Sequence, residues 1–149
     1  GLELHTTPEA VVAAATRGEH GTALAMALCL NEVDLVRGAW QRVPHGQIAL
    51  VAGGIPQPYI ERLLRFLGGE LDTSRHVHLV SLWVEQLLIS HGMLLRERAA
   101  TYEVPLRALA KATRARYDEL SRVADANFYA LAFLEEQLRH HALGARPAA

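Results

Sequence analysis

Apolar residues recur along most of this chain at spacings of three and four, the repeat of a helix that buries one face. Thr7, Pro8 and Glu9 combine a capping hydroxyl, a proline suited to the first helical position and an acid that complements the helix dipole. They predict a helix running to Thr16 and broken by Gly18. Glu19 to Leu30 follows, apolar on most sides, as a helix enclosed by others must be. Asn31 is placed to cap the next helix, Glu32 to Arg42, in which Val33, Val36 and Trp40 form one stripe and which Pro44 ends.

A short helical turn over Gln47 to Ala52 leads into VAGGIPQPYI at 51–60. Beyond it Gln57 to Leu67 carries Ile60, Leu63, Leu64 and Leu67 on one face, closed by Gly68 and Gly69. Thr73 or Ser74 then caps a longer helix to Ser90, so rich in Val and Leu around Trp83 that it is expected to be the central helix of the core. His91 and Gly92 end it, and two further helices run from Pro105 to Tyr117 and from Asp118 to Arg139. With no sustained alternation of period two, the fold class is all-α: stacked helical hairpins forming one superhelix-like domain. Residues 1–6 read as an N-terminal flank, 7–141 as the helical domain and 142–149, too small in side chain to fold alone, as a flexible tail.

Composition narrows the function more than the fold. Half of the 149 residues are apolar and 21% charged, the balance of a folded domain. A formal net charge of -1 excludes a strong overall field for nucleic acid or an anionic membrane, so any such binding must be local. No stretch approaches 18 uninterrupted apolar residues, and GLELHTTPEA lacks the regions of a signal peptide, so no membrane partner is expected. The one cysteine, Cys29, lies in ALAMALCL and reads as a small core residue of a protein kept reduced.

The glycine pair in VAGGIPQPYI could cradle a phosphate, but a loop of that kind needs a nearby Lys with Ser or Thr, and a dinucleotide loop needs a third spaced glycine after a strand. Neither is present. The pair reads instead as a turn in which Gly53 and Gly54 allow positive φ, with Pro56 and Pro58 setting an extended entry to the next helix. Eight histidines invite a metal, yet His76 and His78 are two apart and His140 and His141 adjacent, neither of which is the i, i+4 spacing that joins two imidazoles on one ion. Acids sit four residues before arginines, Glu61 before Arg65 and Glu135 before Arg139, as ordinary surface pairs. No nucleophile elbow is found, and the expectation is a protein without catalytic residues, cofactor, metal site or small-molecule substrate.

Two features carry binding chemistry. Arg107, Lys111 and Arg114 follow i, i+4, i+7 and make a basic stripe that could hold RNA phosphates or an acidic partner, though such a stripe can equally be a solvated face. Trp40, Tyr59, Phe66 and Trp83 are the expected core anchors, and any of them left exposed would be an interface candidate. Wherever the high apolar content of the helices exceeds what one layer of hairpins can cover, burial against another chain is expected.

Taken in order, the runs ALAMALCLNEVDLV, RVPHGQIALVAGGIPQPYIERLLRFLG and RHVHLVSLWVEQLLISHG resemble the C-terminal helical domain of the periodic tryptophan protein 2 family. Its members are WD-repeat subunits of the UTP-B complex. The likeness covers roughly residues 7 to 134 and includes LNE at 30–32, Val43-Pro44, Ile55-Pro56, Tyr59, Leu64 with Phe66, and Leu82-Trp83. Cys29 departs from it, standing where a larger residue is expected, and the last helix follows the pattern only loosely after Asn127 and Tyr129. The resemblance implies a nucleolar ribonucleoprotein factor of the small-subunit processome, active in ribosome biogenesis and rRNA processing. It further implies that this domain pairs with the helical domains of sister WD-repeat subunits and does no chemistry, while the full-length protein meets pre-ribosomal RNA. Direct binding of that RNA through the basic stripe is the alternative.

Overall fold

A computed structural model describes residues 6–73 and 76–144, with 123, 124, 127, 128 and 142–144 described by backbone alone. Within these limits every regular element is helical. The order is α1 (Pro8–Thr16), α2 (His20–Leu30), α3 (Val33–Arg42), a 3-10 turn (His45–Gln47), α4 (Ile48–Gly53), α5 (Gln57–Thr73), α6 (Val77–Glu97) and α7 (Ala99–Gly144). By packing, the chain divides into two units, one ending at Thr113 and the other starting at Arg114.

Helix starts and stops follow local chemistry. The Thr7 hydroxyl accepts the Ala10 N–H at 3.1 Å with Pro8 behind it, the cap that the sequence predicts. Gly18 takes φ +79°, open to glycine at no steric cost, and the Arg17–Glu19 ion pair at 3.2 Å spans that turn. That contact raises Arg17 above its ordinary pKa and holds Glu19 below its own, in both cases chiefly through the hydrogen bond they share. Asn31 does not open α3. It closes α2 in the left-handed region at φ 56°, where its short polar side chain is tolerated, and its N–H bonds the Ala27 carbonyl at 2.9 Å.

In the first unit α2 is the enclosed element, packing against α1, α3, α4 and α5, and Ala23, Leu24, Ala27 and Leu28 are buried. Small alanines let its neighbours approach on several sides at once. Helix α6 packs against α4 and α5 and is not the central helix the sequence suggests. It buries Val77, Val80, Trp83, Leu87 and Leu95 but leaves Leu88, Ile89 and Met93 in solvent. By length and composition α6 could cross a bilayer; those buried residues place it as a core helix of this unit. Helix α5 buries Ile60, Leu63, Leu64 and Leu67 as predicted, whereas Val33 is exposed, leaving Val36 and Trp40 as the buried stripe of α3.

Three expected breaks are absent. Helix α5 passes through Gly68 and Gly69 to Thr73, and α6 passes through His91 and Gly92 to Glu97. A glycine inside a helix costs about 1 kcal/mol relative to alanine, less than the burial of Leu71 and Leu95 beyond these sites returns. Helix α7 likewise contains Pro105 near its start, because Tyr102, Pro105 and Leu109 form a buried stripe at spacings of three and four. From Leu106 to Leu143 no glycine or proline interrupts it, so it continues through Asp118. The alternative cap Ser74, the flank 1–5 and the end of the tail, 145–149, lie outside the described residues.

The glycine pair also behaves differently from expectation. Gly54 has φ -91°, and Gly18 is the positive-φ glycine among the described residues, so neither Gly53 nor Gly54 uses that freedom. Gly53 is small because α6 is close: a Cβ there would stand 3.3 Å from Ser90 Oγ. Next to it, His91 Nε2–H donates to the Ala52 carbonyl at 2.8 Å, satisfying an acceptor at the end of α4. VAGGIPQPYI is thus a close crossing of α4 and α6 followed by the entry to α5, where Pro58 sits in the first turn with no intrahelical bond to lose.

Candidate partner interface

Four kinds of surface carry the chemistry available to this chain. The first is a cleft of about 540 Å3 between α3 and α5, lined by Leu28, Val36 and Phe66 with Arg37, Arg62 and Arg65 among its polar residues. Its cations are occupied from within. Arg37 donates through Nε and Nη2 to Glu70 Oε1 at 2.9 and 2.7 Å and through Nη1 to Asp34 at 3.0 Å. Glu70 is buried, 3% exposed, and this bond raises Arg37 above its ordinary pKa. Arg62 Nη1 donates to the Leu28 and Cys29 carbonyls at 2.8 and 3.0 Å, tying α5 to the open end of α2. Arg65 pairs with Glu61 at 2.9 Å. The sequence signals neither cross-helix tie, because both join residues more than thirty positions apart. Cys29, expected in the core, is half-buried at this same end.

The aromatic residues lie close by. Trp40 and Trp83 are fully buried, while Tyr59 and Phe66 are half-buried against the core. Trp40 meets Phe66 edge-to-face at 5.3 Å, and the Arg62 guanidinium stands over the Tyr59 ring at 5.9 Å. Neither Trp40 Nε1 nor Trp83 Nε1 finds an acceptor among the described residues.

Histidines form the second surface. His76 precedes α6 rather than lying on it, so His76 and His78 are not held apart by helical geometry, and with His45, Gln41 and Leu79 they line one open pocket. Among the described residues no group of three or more His, Cys, Asp or Glu is placed to hold a metal ion. The basic stripe is the third. Arg107 is exposed and bonded to Glu103 one turn earlier; Lys111 and Arg114 are exposed, and Arg116 pairs with Glu119 at 2.8 Å.

The fourth surface is apolar. On α6 Ile89 and Met93, four apart, are 69% and 74% exposed beside Leu88. In the second unit, Tyr117, Leu120, Tyr129, Leu131, Phe133, Leu134 and Leu138 are all exposed. Single exposed apolar residues are ordinary, but a concentration of this kind marks an interaction surface.

The model of the Dip2/Utp12 family matches residues 31–136. The chain belongs to that family. Among similar proteins, "Periodic tryptophan protein 2 homolog" of Neurospora crassa is 33% identical over 89% of this chain, and its namesake from Mus musculus 30% over 89%. "Periodic tryptophan protein 2" of Saccharomyces cerevisiae is 31% identical over 72%. The chain spans 15%, 14% and 12% of the length of these relatives. The Dip2/Utp12 match agrees with the resemblance read from LNE, Val43-Pro44, Ile55-Pro56 and Leu82-Trp83. It also extends past Thr113, where the first packed unit ends, and takes in most of the exposed apolar residues of the second.

Proposed function

We propose that this chain is the assembly segment of a ribosome-biogenesis factor, a helical domain that joins a WD-repeat protein to the helical domains of sister subunits in the UTP-B complex. The full-length protein would act in the nucleolus, within the small-subunit processome, during maturation of small-subunit rRNA. Membership of the Dip2/Utp12 family and likeness to proteins named periodic tryptophan protein 2 support the ribosome-biogenesis setting. One observation carries the assembly role: the family match runs on through residue 136, across a helical segment whose large apolar residues face solvent in the isolated chain. Large apolar residues concentrated along one exposed segment are best accounted for by packing against another chain. Direct RNA binding draws less support, since Arg107 is engaged by Glu103 and Arg116 by Glu119.

The test is the mass of the chain by light scattering, alone and mixed with the helical domains of the sister subunits. A stoichiometric complex is expected. Monomers in every mixture, together with RNA affinity that falls steeply with salt, would replace assembly by the stripe Arg107, Lys111 and Arg114.

A further inference from the structure

Three arginines of the first unit, Arg17, Arg37 and Arg65, turn the fork formed by Nε and Nη2 onto a carboxylate, that of Glu19, Glu70 or Glu61. Arg62 does not. Its Nη1 donates to the Leu28 and Cys29 carbonyls, its guanidinium stands 5.9 Å from the centre of the Tyr59 ring, and among the described residues no acceptor meets its Nε or Nη2. An exposed arginine without an acid is ordinary. This one is held in place by two carbonyls and an aromatic ring at the wall of a cleft, so its fork is pre-organised for a carboxylate, which it can take through two parallel N–H bonds.

The cleft between α3 and α5 follows one face of α5 through Arg62, Arg65, Phe66, Gly69 and Thr73. At 1.5 Å per residue that face is roughly 16 Å long, about three turns of helix. The cleft is a groove more than a pit, because Gly69 leaves its wall low, with open space where a Cβ would stand, and Val33 on the facing wall is 58% exposed. Leu28, Val36 and Phe66 make its apolar part, and Phe66 stands one turn along α5 from Arg62. Its acids, Glu61 and Glu70, are each bonded to an arginine of the same cleft, while Asp34, the other acid on Arg37, lines the separate groove between α1 and α3. The charge left over is that of Arg62. Glu61 and Glu70 disfavour a run of RNA phosphates here, and the apolar part calls for a carbon side chain beside the anionic one.

We infer that the cleft between α3 and α5 receives a helix of a different protein chain, which sets an Asp or Glu carboxylate on the Arg62 fork and a large apolar side chain, one turn away, against Phe66. This rests on the assembly reading and assigns one contact of it. The mode is that of a helix laid in a groove, read through anchors three or four residues apart.

Two variants of the full chain test it. Arg62→Gln removes the fork but keeps an N–H donor for the carbonyls at the end of α2. Gly69→Glu adds bulk and a negative charge to the low wall while replacing glycine by a better helix former. Both should melt as the parent chain does. Each should lose about 10-fold or more in affinity for the sister-subunit helical domain that the parent binds, the effect of losing a charge-assisted bond. In the parent complex the Nε–H signal of Arg62, followed by heteronuclear NMR, should shift and exchange with water more slowly than in the free chain. That measurement decides the matter even if a variant misfolds. An unchanged Arg62 signal in a complex that forms overturns the docking site while assembly stands, as does binding of both variants within twofold of the parent. Loss of affinity in one variant alone also overturns it, since the helix must use both the fork and the groove. A doubled mass of the free chain that Gly69→Glu abolishes makes a second copy the occupant, and an Arg62 signal moved by an RNA oligonucleotide but by no sister domain makes the occupant a phosphate. Either result overturns the inference. Failure of the parent to bind any sister domain removes assembly and this inference together.

Discussion

Residues 23–28, ALAMAL, and residues 129–134, YALAFL, are nearly interchangeable as strings, both helical and both apolar. Their fates are opposite. In α2 all but Met26 are buried, because four other helices surround them; in α7 all six are exposed. Hydrophobic burial is non-directional and proportional to area, so an apolar helix is equally served by neighbours from its own chain or from another. What separates the two segments is the company each keeps. In the first unit the chain folds back upon itself through turns at Gly18, Asn31, Pro44 and Gly54, and each return supplies a wall. In the second unit no turn is described before Gly144, so the described segment supplies no wall of its own.

The sharpest way to break this comparison is to truncate one large side chain in each region. Trp83→Ala should cost about 3–5 kcal/mol in denaturant unfolding of the isolated chain, the price of a large core cavity. Leu134→Ala should stay within about 0.5 kcal/mol, as surface positions do. A comparable loss at both sites would mean that the second unit is packed in the free chain.

Next in size is the tie between α3 and α5. Arg37→Ala leaves the Glu70 carboxylate buried without its cation and should cost about 2–3 kcal/mol, below the range for a fully enclosed pair because the guanidinium itself reaches solvent. Asp34→Ala, at the exposed end of the same network, should change little. Equal effects of the two would show that the network is a surface pair without a buried core.

The smallest effect concerns VAGGIPQPYI. Gly53→Val should cost about 1–2 kcal/mol by crowding Ser90 on α6, whereas Gly54→Ala, at negative φ, should be neutral or slightly stabilising. Thermal melts of the two variants separate close approach from backbone freedom, since a need for positive φ would make Gly54→Ala costly as well.

Local signals were read correctly where the chemistry is local. The Thr7 cap, the break at Gly18, the stop at Pro44 and the buried face of Ile60, Leu63, Leu64 and Leu67 each depend on residues a turn or less apart. Predicted stops at Gly68 and His91 failed because the neighbouring glycines are weak costs that the burial of Leu71 and Leu95 outweighs, and the stop at Tyr117 failed because no glycine or proline stands there to break the helix. The Arg37–Glu70 tie, the Arg62 cap on α2 and the His91–Ala52 bond were not legible, since nothing in a linear pattern says which distant partner will arrive.

The sequence by itself determined that the chain is helical, which faces of its helices are apolar and to which family it belongs, because periodicity, capping residues and ordered motifs are properties of neighbours along the chain. Only the tertiary structure decided that α2 rather than α6 is enclosed, that Gly53 serves a helix crossing and that the large apolar residues of α7 beyond Arg116 are exposed. Burial is a relation between surfaces, and a surface has no burial until the fold sets another against it.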